Sequence, residues 1–337
     1  MRRSLVLLAA SAVLVAIPTV PAAADPTHVP GGPCIQDDQT VSLASVAGYP
    51  DVVNALDRIE RTSNGLVTVG SAGQSGEGRE LLYATVGTGS QVFWLQARIH
   101  GNELHSTEAA LQILDYLTSG APDARLVRDR FTVVVVPMYN PDGATANIRQ
   151  STTPTRIDLN RDWENFAQPE SRAFWNLFAQ VRPTYALDLH HMGQAPVVAG
   201  TNDLNQFQIG ARSIDPSRMT AAQWQTNREM AMVTVNALDQ YGLANVARYP
   251  IIDITNAVIS RMLMGGTAPP GLTPIDHTVS GAIFYEVRSV GQKSNGQLEN
   301  LFRVPTMALL VAAANGSLAD QDISGFDALP FATGGPC

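Results

Sequence analysis

Three stretches of this chain carry acid and imidazole groups in settings suited to chemistry. His100 and Glu103 follow an apolar run in His100-Gly101-Asn102-Glu103, His190 closes Ala186-Leu187-Asp188-Leu189-His190, and Glu286 lies inside a third apolar run at 282–287. A catalytic zinc ion is usually held by three side chains drawn from His and Asp or Glu, with a fourth position open for water. His100, Glu103 and His190 supply such a set, and Glu286 supplies a base beside it, so the chemistry indicated is hydrolysis by metal-activated water. The spacing of His100 and Glu103 puts both on one face if a helical turn begins there. In the second stretch the two-residue period of a strand places Ala186, Asp188 and His190 on one face and the leucines on the other, which favours His190 over His191 as a ligand. A lone His-x-x-Glu is a weak motif, most often a pair on a helix surface. Its weight here comes from the rest of the set.

Donors for an anion cluster between Asn140 and Trp163. Asn140-Pro141-Asp142-Gly143 is turn chemistry, followed by Arg149, Arg156, Asn160 and Arg161. A guanidinium grips a carboxylate through two parallel hydrogen bonds, so Arg149 and Arg161 with Asn160 suit a substrate carboxylate near the metal. The competing reading pairs these arginines with Asp158, Asp162 or Glu164. Glu286 has its own alternative, an ion pair with Arg288 on the same strand face. His105 reads as a surface residue or a neighbour of the ligands, His191 as a residue packed or hydrogen-bonded on the other strand face, and His277 as a loop residue outside the cleft.

These groups need elements to position them. Strand-like apolar runs fall at 66–69, 81–86, 92–99, 131–137, 185–190, 246–252 and 282–287, and helical periodicities at 49–61, 105–117, 168–181, 221–241 and 300–314. Buried strands alternating with helices predict a single-domain α/β/α sandwich around a mixed, mostly parallel central sheet. Sites in such folds gather at strand ends and the loops beyond them, where His100, Asn140 and His190 are expected, with Glu286 in the last strand.

Residues 1–24 join Arg2 and Arg3 to an apolar stretch from Leu5 to Ile17 and to Ala22-Ala23-Ala24, the order of a secretory signal peptide. That stretch is short for a bilayer span, and Pro18 and Pro21 interrupt the residues after it. The expected organisation is a signal at 1–24, an N-terminal extension at 25–48, a catalytic domain at 49–316 and a tail at 317–337, secreted and without stable membrane association. The chain carries a net charge of −8 with 22 Lys and Arg against 30 Asp and Glu. Losing Arg2 and Arg3 leaves 20 basic against 30 acidic groups, or −10. Such a balance points away from nucleic acid and anionic membrane surfaces. Cys34 and Cys337, each ending a Gly-Gly-Pro-Cys tetrapeptide, form a terminus-to-terminus disulfide in one reading and two unpaired thiols in the other.

His100-x-x-Glu103, Asn140-Pro141-Asp142-Gly143, Asp158-Leu159-Asn160-Arg161, Asp188-Leu189-His190 and Phe284-Tyr285-Glu286-Val287-Arg288 occur in the order found in the zinc carboxypeptidase (carboxypeptidase A-like) family, which the chain resembles from Tyr49 to Ala314. The resemblance implies one zinc ion held by His100, Glu103 and His190, with Asp158 hydrogen-bonding the first histidine. It implies that Asn160 and Arg161 bind a C-terminal carboxylate, that Arg149 polarises the scissile carbonyl, and that Glu286 is general base and acid. One departure is a mobile tyrosine that the family's animal digestive members carry about two dozen residues before the catalytic glutamate; residues 261–277 contain none. The activity expected from the resemblance is that of a zinc metallocarboxypeptidase acting on peptides or amides with a free carboxylate; the signal segment predicts secretion, the short stretch before Tyr49 predicts synthesis in directly active form, and a monomer is expected. The alternatives are a zinc amidase acting on cell-wall peptides or acylated amino acids, and a non-catalytic binding protein of the same fold.

Overall fold

A computed structural model of the chain describes residues 43–192, 197–201, 205–250, 253–288 and 294–333. The expected signal segment, both cysteines and the last two residues of the strand expected at 246–252 lie outside these residues. The first half comprises α1 (Tyr49–Thr62), β1 (Val67–Gln74), β2 (Glu80–Val86), β3 (Gln91–Ala97), α2 (Ser106–Leu117), α3 (Pro122–Arg130), β4 (Phe131–Val136), α4 (Pro141–Ala146) and α5 (Pro169–Val181). The second comprises β5 (Tyr185–Met192), β6 (Val197–Val198), β7 (Phe207–Gly210), α6 (Ala221–Gln240), β8 (Val246–Arg248), α7 (Val258–Met264), β9 (Gly281–Arg288), α8 (Asn295–Asn315), α9 (Ser324–Ala328) and β10 (Ala332–Thr333). Among the described residues, no helix is long and apolar enough to cross a membrane.

Eight strands form one sheet in the order β1-β2-β4-β3-β5-β9-β7-β8. The central run β4-β3-β5-β9 is parallel throughout, while β1, β2 and β7 join antiparallel to their inner neighbours. The parallel strands are apolar on both faces because helices cover both. On one side Phe93, Leu95, Leu187, Leu189, Ile283 and Tyr285 pack against residues of α1, α2, α3, α6 and α8. On the other, Trp94, Val134, Val136, Ala186 and Phe284 pack against α5 and α7. This is the three-layer architecture expected from the alternating pattern.

Strand alternation therefore decides which polar groups share a face. Leu187 and Leu189 enter the first core while Ala186 enters the second, so Asp188 and His190 stand on the α5 and α7 side. Ile283, Tyr285 and Val287 alternate likewise against Phe284 and Glu286. Because β5 and β9 are parallel neighbours in register, His190 sits directly opposite Glu286.

Two local expectations need correction. The strand expected at 92–99 ends at Ala97, where Arg98 turns the chain with φ 56°. Asn140-Pro141-Asp142-Gly143 is the start of α4 rather than a free turn: Asn140 Oδ1 accepts from Gly143 N at 2.8 Å, and Pro141 occupies a first-turn position where no N–H is required. Asp142 accepts from Ser75 Oγ at 2.7 Å, Arg79 at 2.7 Å and Glu77 N at 2.8 Å, tying α4 to the β1–β2 hairpin. The last segment, 317–333, packs back on the molecule, with Leu318 and Phe326 in the first core and β10 paired to β6.

Candidate metal centre and substrate cavity

The loop from β3 to α2 closes as a reverse turn, with Glu103 N donating to His100 O at 3.1 Å. His100 and Glu103 thus meet before α2 begins, not on a helical turn as their spacing suggests. Gly101 is required for this closure: a Cβ there would lie 2.0 Å from the carbonyl carbon of Gly143 in α4. The buried Arg98 braces the turn, its Nε donating to Gly101 O at 3.1 Å.

His100 Nδ1 lies 2.6 Å from Glu103 Oε1, His190 Nδ1 lies 3.0 Å from Glu103 Oε2, and the two Nδ1 atoms are 3.2 Å apart. All three residues are buried, and each offers a ligand atom within 4.8 Å of the others. Their outward nitrogens are engaged as well. His100 Nε2 is 3.2 Å from Asp158 Oδ1, and His190 Nε2 is 2.9 Å from Asp188 Oδ2. A carboxylate on Nε2 holds the hydrogen there and turns the Nδ1 lone pair inward. With both imidazoles neutral, two inward lone pairs and a carboxylate converge on one buried point, so this donor set fits a single divalent cation, with the ligand types zinc prefers.

The charge states derive from the same contacts. Burial pushes the Glu103 carboxyl up, but His100 and His190 outweigh it and hold Glu103 below the ordinary carboxylate range. Burial opposes charge on His190, while Asp188 and Glu103 raise its affinity for a proton well above the usual imidazole value. For Glu286 burial dominates and pushes its carboxyl up to about 7, with Glu103 adding to the rise and His190 opposing it. Glu286 forms no ion pair among the described residues, so the alternative pairing with Arg288 is not made.

A cavity of about 60 Å³ connects these groups, its polar side formed by His100, Arg149, Asn160, Arg161, His190 and Glu286. Asn160 Oδ1 accepts from Val258 N at 2.9 Å, which leaves its amide NH2 for a ligand. Arg161 donates to Asn160 O at 2.6 Å and has no carboxylate partner among the described residues. Asp162, its expected competitor, instead accepts from Ala167 N and Gln168 N, both at 2.9 Å. Arg149 does pair with Asp158, Nη2 to Oδ2 at 3.0 Å, while its Nη1 stands 3.2 Å from His100 Nδ1. Arg156 is not among the residues lining the cavity.

The remaining histidines take structural places. His105, expected at the surface or beside the ligands, is buried at the start of α2; its Nε2 is 3.2 Å from Asn295 Oδ1, and its backbone N–H donates to His191 Nε2 at 3.1 Å. His191 packs edge-on against Phe302 on the opposite strand face, and burial pushes its pKa down to about 3. His277 stacks on Phe178 away from the cavity.

A family model described as zinc carboxypeptidase matches residues 52–250, more than half the chain and a span that includes His100, Glu103, Arg149, Asp158, Asn160, Arg161 and His190. The chain belongs to the zinc carboxypeptidase family. It is 29% identical over 145 residues to carboxypeptidase 2 of Trichophyton rubrum, covering 40% of this chain and 27% of that protein. Against the probable carboxypeptidase 2 of Trichophyton verrucosum it is 34% identical over 97 residues, 29% of this chain and 18% of the other. The matched segments thus span little more than a quarter of these relatives' length at most. A metallo-carboxypeptidase from Burkholderia cenocepacia shares the fold with a TM-score of 0.60 at 18% identity, over 80% of this chain and 70% of that one. Carboxypeptidase A from Helicoverpa armigera shares it with a TM-score of 0.57 at 16% identity, over 85% and 76%. The family uses one zinc ion, and the His100-Glu103-His190 group is the cluster able to hold it among the described residues.

Three residues of the site have roles that only the structure reveals. Strand alternation puts Asp188 on the His190 face, and a carboxylate two residues before a ligand on one strand is a usable signal for its contact with the imidazole. Phe284, two residues before Glu286, shares its face by the same period. Tyr249 lines the cavity from the residue after β8. Burial raises its phenol pKa and the nearby Glu286 adds to the rise. Nothing local in the sequence marks it, because β8 reaches the site only through pairing with β7.

Proposed function

We propose that this chain is a secreted zinc-dependent metallocarboxypeptidase that hydrolyses the C-terminal residue of peptides. The observation that carries the reading is the meeting in one cavity of the two histidines of a His-Glu-His ligand group, the buried Glu286 and an Asn-Arg pair that has no carboxylate partner among the described residues. Secretion rests on the character of residues 1–24.

Each residue has its own task. Asn160 and Arg161 hold the terminal carboxylate of the substrate, fixing the distance of its last amide from the metal ligands. When bound by His100, Glu103 and His190, a zinc ion supplies Lewis acidity and acidifies water. Glu286, ionised, accepts a proton from the attacking water; protonated, it returns one to the leaving amine. In the metal-free protein burial pushes its carboxyl up to about 7, and a divalent cation beside it would favour the ionised form that serves as base. Arg149 donates to the oxygen that gains charge as the carbonyl is attacked. Asp158 and Asp188 keep both imidazoles oriented throughout.

The test is hydrolysis of N-blocked dipeptides carrying a free or an amidated C-terminus, with zinc-loaded wild type and Glu286→Gln. Carboxypeptidase activity requires the free carboxylate, zinc and Glu286 together. Cleavage of amidated and free substrates at equal rates would move the assignment to an amidase, and zinc binding with no turnover of any substrate to a binding protein.

A further inference from the structure

The cavity that holds Asn160 and Arg161 is also lined by Tyr249, Ile254, Ala257, Ile259 and Phe284. A substrate whose carboxylate meets Asn160 and Arg161 would have to fit its last side chain among these same residues. The whole cavity measures about 60 Å³. A single water needs about 10–15 Å³ of such space, whereas an apolar cavity that admits benzene measures about 150 Å³.

Phe284 takes up the missing space, and three neighbours keep it there. Gly210 of β7 pairs opposite Phe284, and a Cβ on Gly210 would fall 2.2 Å from the ring, so the ring lies against bare backbone. Tyr249 meets it edge-on at 4.9 Å between ring centroids, and His190 stands perpendicular at 6.2 Å. The side chain is 4% exposed. Swinging it aside would require leaving its rotamer against packed neighbours or displacing a proposed metal ligand.

We propose that the cavity selects substrates whose C-terminal residue is small, namely Gly, Ala or Ser, and that Phe284 is the residue that sets this limit. The inference rests on the carboxypeptidase reading for its chemistry, but the size limit is a property of the cavity alone. A benzyl or isobutyl side chain meets the Phe284 ring, while a methyl or hydroxymethyl group fits in front of it.

The experiment has two arms. In the first, zinc-loaded wild type is assayed on N-blocked dipeptides that differ only in a C-terminal Gly, Ala, Ser, Leu or Phe. The expected kcat/KM for Ala exceeds that for Phe by at least about tenfold, the scale on which pockets discriminate by size. Phe284→Leu, and Phe284→Ala if it folds, should narrow or invert that ratio by about tenfold or more. In the second arm, acetyl-Gly-Ala and acetyl-Gly-Phe are titrated calorimetrically into zinc-loaded Glu286→Gln, which reads the cavity without turnover. Tighter binding of acetyl-Gly-Ala supports the size limit even if no peptide is hydrolysed, an outcome that would sink the hydrolase reading alone. Equal or tighter binding of acetyl-Gly-Phe, or a wild-type kcat/KM for Phe matching that for Ala, overturns the selection.

Discussion

Replacing Asp188 by Asn should weaken zinc binding more than the same change at Asp158. Both carboxylates face the outward Nε2 of a ligand histidine, but their settings differ. The Asp188 side chain is fully buried and 2.9 Å from His190 Nε2, whereas Asp158 is 24% exposed, 3.2 Å from His100 Nε2 and shared with the Arg149 guanidinium. A charge screened by water and divided with a cation contributes less to the basicity of its imidazole. Loss of such a partner typically costs about 10–100-fold in metal affinity. Asp188→Asn is expected near the top of that range, about 2.7 kcal/mol, and Asp158→Asn near the bottom, about 1.4 kcal/mol. Asn can still accept from Nε2–H, so the substitution removes charge while keeping the ring in place. Competition against a fluorescent zinc chelator at fixed pH measures both dissociation constants. A threefold or smaller change for Asp188→Asn, or a larger change for Asp158→Asn, would refute the reasoning.

Glu286→Gln should lower kcat by about 10²–10⁴ with KM changed only a few-fold, since it removes proton transfer and leaves Asn160 and Arg161 intact; steady-state kinetics on the free-carboxylate dipeptides decides this. Burial pushes the Glu170 carboxyl from 4.5 up to about 7, with Asp142 and Asp162 adding to the rise. The unfolded chain therefore releases this proton first, and the contribution to stability is present below about 4.5 and lost as pH rises to about 7, a difference of about 3 kcal/mol. Glu170→Gln should thus gain stability relative to wild type at pH 8 but not at pH 4, as read by urea unfolding; equal effects at both would contradict it. Gly101→Ala forces a Cβ against the α4 backbone and should cost about 3 kcal/mol, the upper end for overpacking, together with zinc affinity. Thermal unfolding with and without zinc tests this, and a wild-type profile would show that the turn can relax.

Elements whose apolar period is regular are legible in the sequence. The helix expected at 221–241 is α6, Ala221–Gln240, where Thr220 caps the first turn and Gln223 reciprocates. The helix expected at 300–314 begins earlier, at Asn295, because Ser294 accepts from Gln297 N and caps a polar first turn that hydrophobic periodicity does not detect. β7 escapes periodicity for a related reason. Its four residues are too few to show a period, and its strand character comes from pairing with β9 and β8.

The same division runs through the site. Strand period two puts His190 and Glu286 on determinable faces, and motif order brings His100 and Glu103 to the same chemistry; these are local properties that any folded form of these segments preserves. What the sequence determined by itself was the donor set, the alternation that aims it and the class of fold able to carry it. Only the tertiary structure decided that β5 and β9 are neighbours in register, that Asp188 and Asp158 take the outward histidine nitrogens, that Arg161 goes without an acid partner among the described residues, and that Phe284 and Tyr249 line the cavity. Those outcomes depend on which surfaces meet after burial of the two cores. Pairings between segments far apart in the chain are selected by packing and desolvation of the whole molecule, and no local period encodes them.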